Sequence, residues 1–223
     1  MAKLVRRAFG SLLVVPIALF IPAGTLEFWQ GWAFIIAAVV LPFCVAFYFY
    51  FRDPEVLGRR LLRRENIGVQ GFLIRLAVAI YFLILILAGW DYQFGWTRQW
   101  ITPVPWWLTT AALAVILVNE AWFVAVLKAN RFAASIIQVE SGQTIAASGP
   151  YRIVRHPMYL GFIIRWLATA PALGSFVVWP VSFLIVPILA LRLLNEEKFL
   201  ARELPGYSEY CRQTPWRLVP FVW

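Results

Sequence analysis

One histidine, His156, and two cysteines, Cys44 and Cys211, are nearly all that 223 residues offer in the way of soft metal ligands. A structural or catalytic zinc site draws three or four ligands from such residues, so no metal centre is expected. Cys44 falls in an apolar run and Cys211 in the polar C-terminal segment, which excludes a disulfide framework. Charge is scarce too. Charged residues make up 14% of the chain against 62% apolar ones, a balance that excludes an ordinary soluble domain. Internal repeats and low-complexity linkers are also missing, so a single integral-membrane domain over residues 1–223 is the economical organisation.

What the chain has in quantity is apolar runs near the length of about 20 residues that crosses a bilayer. They lie near 8–25, 28–51, 71–90, 104–127, 157–174 and 176–194. The expected fold is therefore all-α, a polytopic membrane bundle of about five to six transmembrane helices. The last two runs are the shortest, and Pro171 to Ser175 reads as a tight hairpin between them. Pro16 and Pro22 sit inside the first run, which neighbouring helices tolerate in a membrane. A cleaved signal peptide competes for the first 25 residues. The second apolar run follows at once, with Glu27 as the only charge between, and this favours a helical hairpin.

The net charge of +9 is distributed by loop. Lys3, Arg6 and Arg7 precede the first run, and Arg52, Arg59, Arg60, Arg63 and Arg64 follow the second. Lys128, Arg131, Arg152 and Arg155 follow the fourth, and Lys198, Arg202, Arg212 and Arg217 follow the last. The intervening loops hold only Arg98. Basic alternate loops put both termini in the cytoplasm. The same distribution excludes a nucleic-acid face, which would need one basic surface beside stacking aromatics. Membrane lipids are the expected partners, and no obligate protein partner is implied. Residues 52–71 read as an arginine-rich surface helix against anionic headgroups.

Chemistry concentrates in SGPYRIVRHPMYLG, residues 148–161. Gly149-Pro150 makes a rigid turn, and Pro157 suits the first position of a helix. The N–H groups of Met158, Tyr159 and Leu160 would then be free to bind an anionic ligand group beside Arg155 and His156. Gly161 allows a close approach by another helix or a ligand. Each of these residues alone would pass for an interfacial belt; the set between two prolines is harder to explain that way. A second polar segment, NEEKFLARELPGYSEYCRQTPWRLVPFVW (195–223), follows the last apolar run and opens on a short acidic-basic helix ended near Pro205-Gly206. Two polar segments thus flank one hairpin and can fold over the same cytoplasmic pocket. Glu120 and Arg165 lie deep in the fourth and fifth runs, about 12 Å from their cytoplasmic ends at the helical rise. Charges at that depth are expected to pair, or to leave Arg165 facing a substrate cavity.

In order, GPYRIVRHPMYLG (149–161), a hydrophobic hairpin, NEEKFL (195–200) and GYSEYCRQTPWRLVP (206–220) make a linked pattern. Over about 128–220 it resembles the isoprenylcysteine carboxyl methyltransferase family, whose wider relatives include phosphatidylethanolamine N-methyltransferases. The resemblance implies a membrane methyltransferase that uses S-adenosylmethionine, yields S-adenosylhomocysteine and takes a lipid-like or prenylated acceptor, foremost a carboxylate. Carried over by position, Tyr151, His156, Tyr159, Glu196 and Glu197 would bind the cofactor, with Gln138 and Glu140 as further candidates. Arg155 would orient the acceptor or the cofactor carboxylate. For an amine or thiol acceptor, Glu196 or Glu197 becomes the candidate base. Gln143 stands where many relatives have a histidine and Gln213 where a basic residue is common, which bears on the acceptor.

Other functions fit less well. Sterol-type membrane reductases share an RHPxYxG stretch and use NADPH, but an acidic residue commonly follows the glycine, and here it is Phe162. A non-catalytic scaffold or carrier leaves the joint presence of the turn, the arginine, the histidine and the acidic pair without a reason.

Overall fold

The computed structural model describes residues 2–55, 58, 68–130, 132 and 144–223, with side chains from residue 12 onward. All regular structure among them is helical. Helix α1 spans Ala2–Ala23, α2 Trp29–Arg52, α3 Gly68–Phe94, the short α4 Trp96–Trp100, and α5 Trp106–Ala129. After a 3₁₀ turn at Gly149–Arg152 come α6 (Pro157–Ala172), α7 (Trp179–Phe183), α8 (Ile185–Glu203) and α9 (Tyr207–Gln213). The expected surface helix of 52–71 lies mostly outside the described residues.

Among the described residues four stretches are long and apolar enough to cross a membrane: Trp29–Arg52, Gly68–Phe94, Trp106–Ala129 and Trp179–Glu203. Leu12–Ala23, the part of α1 with described side chains, is a shorter apolar helix. Helix α6 has 16 residues, about 24 Å at the helical rise, against a hydrocarbon core of about 30 Å. Its end is built rather than frayed. Gly174 takes a left-handed φ of 69°, its N–H donates to the Pro171 carbonyl, and Ser175 N–H donates to Ala170, the double bond of a Schellman ending. The next two N–H groups, of Phe176 and Val177, donate to Thr97 Oγ1 at 3.0 and 3.2 Å. Thr97 is in turn gripped by the buried Asp91 carboxylate through its N–H (2.6 Å) and its hydroxyl. The α6–α7 hairpin expected at 171–175 is thereby locked to the α3–α4 corner.

Two proline effects shape the helices. Pro187 has no N–H for the Phe183 carbonyl, and the last span breaks at Leu184 into α7 and α8. Helix α8 then runs past 194, the end of the apolar run, and continues without a break through the expected acidic-basic helix to Glu203, because LRLLNEEKFLARE holds good helix formers and no Gly or Pro. Likewise Pro42 leaves the Ala38 carbonyl without its usual partner, and α2 passes through a π-helical stretch at Ile36–Val40.

The main buried apolar cluster joins α1, α2, α3, α5 and α6 around Leu19, Phe34, Ile84, Leu85 and Ile116. Helices α5 and α6 pack closely at Gly161. A Cβ added there would come within 3.1 Å of Phe123 and Trp122 and 3.2 Å of the Asn119 side-chain oxygen. The close approach expected of Gly161 is therefore to α5. Just above, Trp122 Nε1 donates to the Pro157 carbonyl at 2.8 Å.

Candidate active site

The candidate site forms where the start of α6 meets α8 and the C-terminal residues. Its frame is a backbone pairing. Arg155 N–H donates to the Trp216 carbonyl at 2.8 Å and His156 N–H to Arg217 at 3.0 Å, so residues 216–217 lie alongside the motif like a strap. Helix α9 seats the other side: Tyr210 hydroxyl donates to the Tyr151 carbonyl at 2.8 Å, and Asn130 Nδ2 to the Tyr151 hydroxyl at 3.2 Å. Leu204, Tyr207 and Tyr210 make a small apolar cluster under this cover.

Glu197 is the hub of the frame. Its Oε1 lies 2.8 Å from Arg155 Nη1 and 3.3 Å from His156 Nε2, and its Oε2 accepts from Arg217 Nε at 2.8 Å. Arg155 also donates to the Pro215 carbonyl (2.9 Å) and to Cys211 Sγ (3.3 Å). Arg217 lies over the Trp223 ring at 5.5 Å. Arg155, expected to grip a ligand, thus spends both terminal nitrogens fastening the strap, because the chain returns to it more than 50 residues later.

Glu196 points elsewhere. Its Oε2 accepts from the Tyr159 hydroxyl at 2.6 Å, Arg192 hydrogen-bonds the same hydroxyl, and Arg192 Nη1 donates to Gln70 Oε1 at 3.2 Å. The expected free N–H groups at the start of α6 are fewer than the sequence suggests, since Leu160 N–H donates to the His156 carbonyl at 3.2 Å. Glu120 and Arg165 form an ion pair between α5 and α6, and Arg165 Nη2 donates to the Ala38 carbonyl that Pro42 left open. Gln138 and Glu140, like Gln143, lie outside the described residues.

Sequence reading gave no site role to Arg192, Gln70, Tyr207 or Arg217. Arg192 carried a signal, the i, i+4 spacing to Glu196 on one helix face. Gln70 carried none, being one polar residue in an apolar run.

Among the described residues no group of three His, Cys, Asp or Glu side chains is placed to hold a metal. Two buried polar atoms around the two glutamates have no protein partner, Arg155 Nε and Tyr207 Oη, and a third, Gln70 Nε2, lies apart from them on α3 beyond Arg192. Burial, then the Glu197 charge, pushes the Tyr207 phenol far above its ordinary range, so it faces the site as a neutral hydroxyl. A charged, multi-functional ligand fits such a set, with carboxylates for its cationic and hydroxyl groups and donors for its anionic end.

The model of the isoprenylcysteine carboxyl methyltransferase (ICMT) family matches residues 109–202. The chain is 27% identical over 166 residues to cobalt-zinc-cadmium resistance protein CzcN of Cupriavidus metallidurans, covering 73% of this chain and 68% of that one. It is 29% identical over 126 residues to protein-S-isoprenylcysteine O-methyltransferase B of Arabidopsis thaliana, covering 52% of this chain and 61% of the plant enzyme. A 90-residue match at 29% identity to Delta(14)-sterol reductase TM7SF2 of Mus musculus covers 39% of this chain and 22% of that one. The chain thus spans less than two thirds of the length of the plant methyltransferase. The family match takes in α6, the hairpin and both glutamates, less than half of the chain, and over that region the chain is similar to the isoprenylcysteine carboxyl methyltransferase family, a methyltransferase class.

Proposed function

We propose that this chain is an integral membrane methyltransferase that uses S-adenosylmethionine and acts on a lipid-like or prenylated acceptor, foremost a carboxylate. The observation that carries the reading is the split polar site at the mouth of α6, two glutamates with different partners inside the family-matched region. The cofactor supplies an electrophilic methyl group on a sulfonium. Tyr159, Glu196, His156 and Tyr151 are the residues that would hold it, with Gln138 and Glu140 as further candidates, and Glu196 is the carboxylate suited to its cationic or hydroxyl groups.

The protein's own work is mainly positioning, since an in-line displacement needs donor and acceptor at near-attack distance in a water-poor site. Helix α6 opens towards the cytoplasmic side, and the strap and α9 cover its mouth. A carboxylate acceptor is already nucleophilic and needs a fixed cation, which Arg192 or the spare Nε of Arg155 supplies. Glu197, held by two arginines and His156, is a fastener in this scheme rather than a base. The catalytic region is assigned to 128–223, the helices of 1–127 serve as its membrane platform, and both termini face the cytoplasm.

Calorimetry on detergent-solubilised protein tests the cofactor: S-adenosylhomocysteine binds and NADPH does not. Incubation with labelled S-adenosylmethionine and a membrane extract then identifies the acceptor. Transfer to no lipid or small hydrophobe, or binding of NADPH instead, overturns the proposal.

A further inference from the structure

Gln70 brings α3 into the polar network although it lies well outside the family-matched region 109–202. Its side chain is fully enclosed, and its partner Arg192 is 8% exposed. A guanidinium only donates, so the amide oxygen must face Arg192, and the orientation of the amide is fixed. Nε2 is then turned to the other side, where it is buried and meets no protein acceptor. Buried donors without partners are rare, and this one is supported by a relay that runs through Arg192 and Tyr159 to Glu196.

The surroundings of Gln70 indicate which ligand comes to it. It sits in the first turn of a membrane-crossing helix, between Val69 and Phe72, which are 60% and 56% exposed apolar side chains facing where lipid would lie. The far end of the relay, at Glu196, is the part assigned above to the cofactor. A lipid-like molecule entering beside α3 would meet Gln70 with its polar head once the side chains enclosing Nε2 part.

We propose that Gln70 is a specificity residue of the acceptor subsite, its Nε2–H donating to an anionic oxygen on the head of the lipid-like acceptor. The assignment rests on the methyltransferase reading given above. Gln70→Glu tests it, because the variant keeps an oxygen for Arg192, and with it the fold, while replacing the donor by a negative charge. The probes are N-acetyl-S-farnesylcysteine and its neutral carboxamide, titrated in detergent micelles against wild type and variant, with S-adenosylhomocysteine titrated in parallel.

The expected result is a loss of at least tenfold in affinity for the carboxylate, under threefold for the carboxamide, whose own N–H can donate to the new glutamate, and under twofold for S-adenosylhomocysteine. A merely structural role would weaken both probes alike. Equal losses for the two probes, no loss for either, or failure of the wild type to bind the carboxylate overturns the assignment. A wild type that discriminates the probes at Gln70 but does not bind S-adenosylhomocysteine overturns the cofactor reading and leaves the lipid subsite standing.

Discussion

Consecutive residues on an α-helix point about 100° apart, and Glu196 and Glu197 use that divergence. Glu197 turns to Arg155, His156 and Arg217, and Glu196 to Tyr159. Removing Glu197 leaves two guanidinium groups short of a counter-charge, so Glu197→Ala should cost about 3 kcal/mol, at the low end for a broken buried pair because Arg217 is 31% exposed. A thermal melt in detergent checks this. Tyr159→Phe removes the hydroxyl that Glu196 and Arg192 share but leaves those two opposite charges beside each other, and should weaken S-adenosylhomocysteine binding by about tenfold with a smaller loss of melting temperature than Glu197→Ala. The acidic pair was legible in the sequence as a pair, but its division of labour was not. Which carboxylate meets which cation depends on residues 211–217 folding back, and adjacency in sequence carries no sign of that.

The elements pack by two devices. One is Gly161, where a side chain would press on Trp122 and Phe123 of α5. Gly161→Leu should destabilise by about 2 kcal/mol through overpacking, and Gly161→Ala by less, a graded series visible in melting temperature. The other is the polar knot of Glu120, Arg165 and the Ala38 carbonyl. Glu120→Leu and Arg165→Leu should each cost about 3–5 kcal/mol by stranding a buried charge. The double variant should cost less than the sum of the two, and a double-mutant cycle measures the coupling. If Arg165→Leu leaves fold and activity intact while Glu120→Leu does not, the two charges do not depend on each other. Depth in an apolar run made this pairing legible. The third partner was hidden, because reading it takes the fact that Pro42 frees a carbonyl four residues earlier and the fold that brings α6 beside it.

At the scale of the molecule, most helices were legible because membrane length and hydropathy are strong constraints. The last apolar run and the polar helix after it read as two elements and form one, since a helix can leave the membrane without ending and hydropathy marks only the first event. Basic alternate loops make an orientation that can be tested on exposed positions at opposite ends. In a background of Cys44→Ser and Cys211→Ser, a membrane-impermeant thiol reagent applied to intact cells should label Gln99→Cys and leave Glu209→Cys unlabelled until the cells are opened. The reverse pattern would invert the topology. The strap bears on the order in which the protein is made. Arg155 and His156 find their backbone partners only at Trp216 and Arg217, some 60 residues further along. During synthesis the membrane helices can therefore insert and pack while the site is still open, and a ribosome stalled before residue 216 would hold an embedded protein with an unfinished mouth.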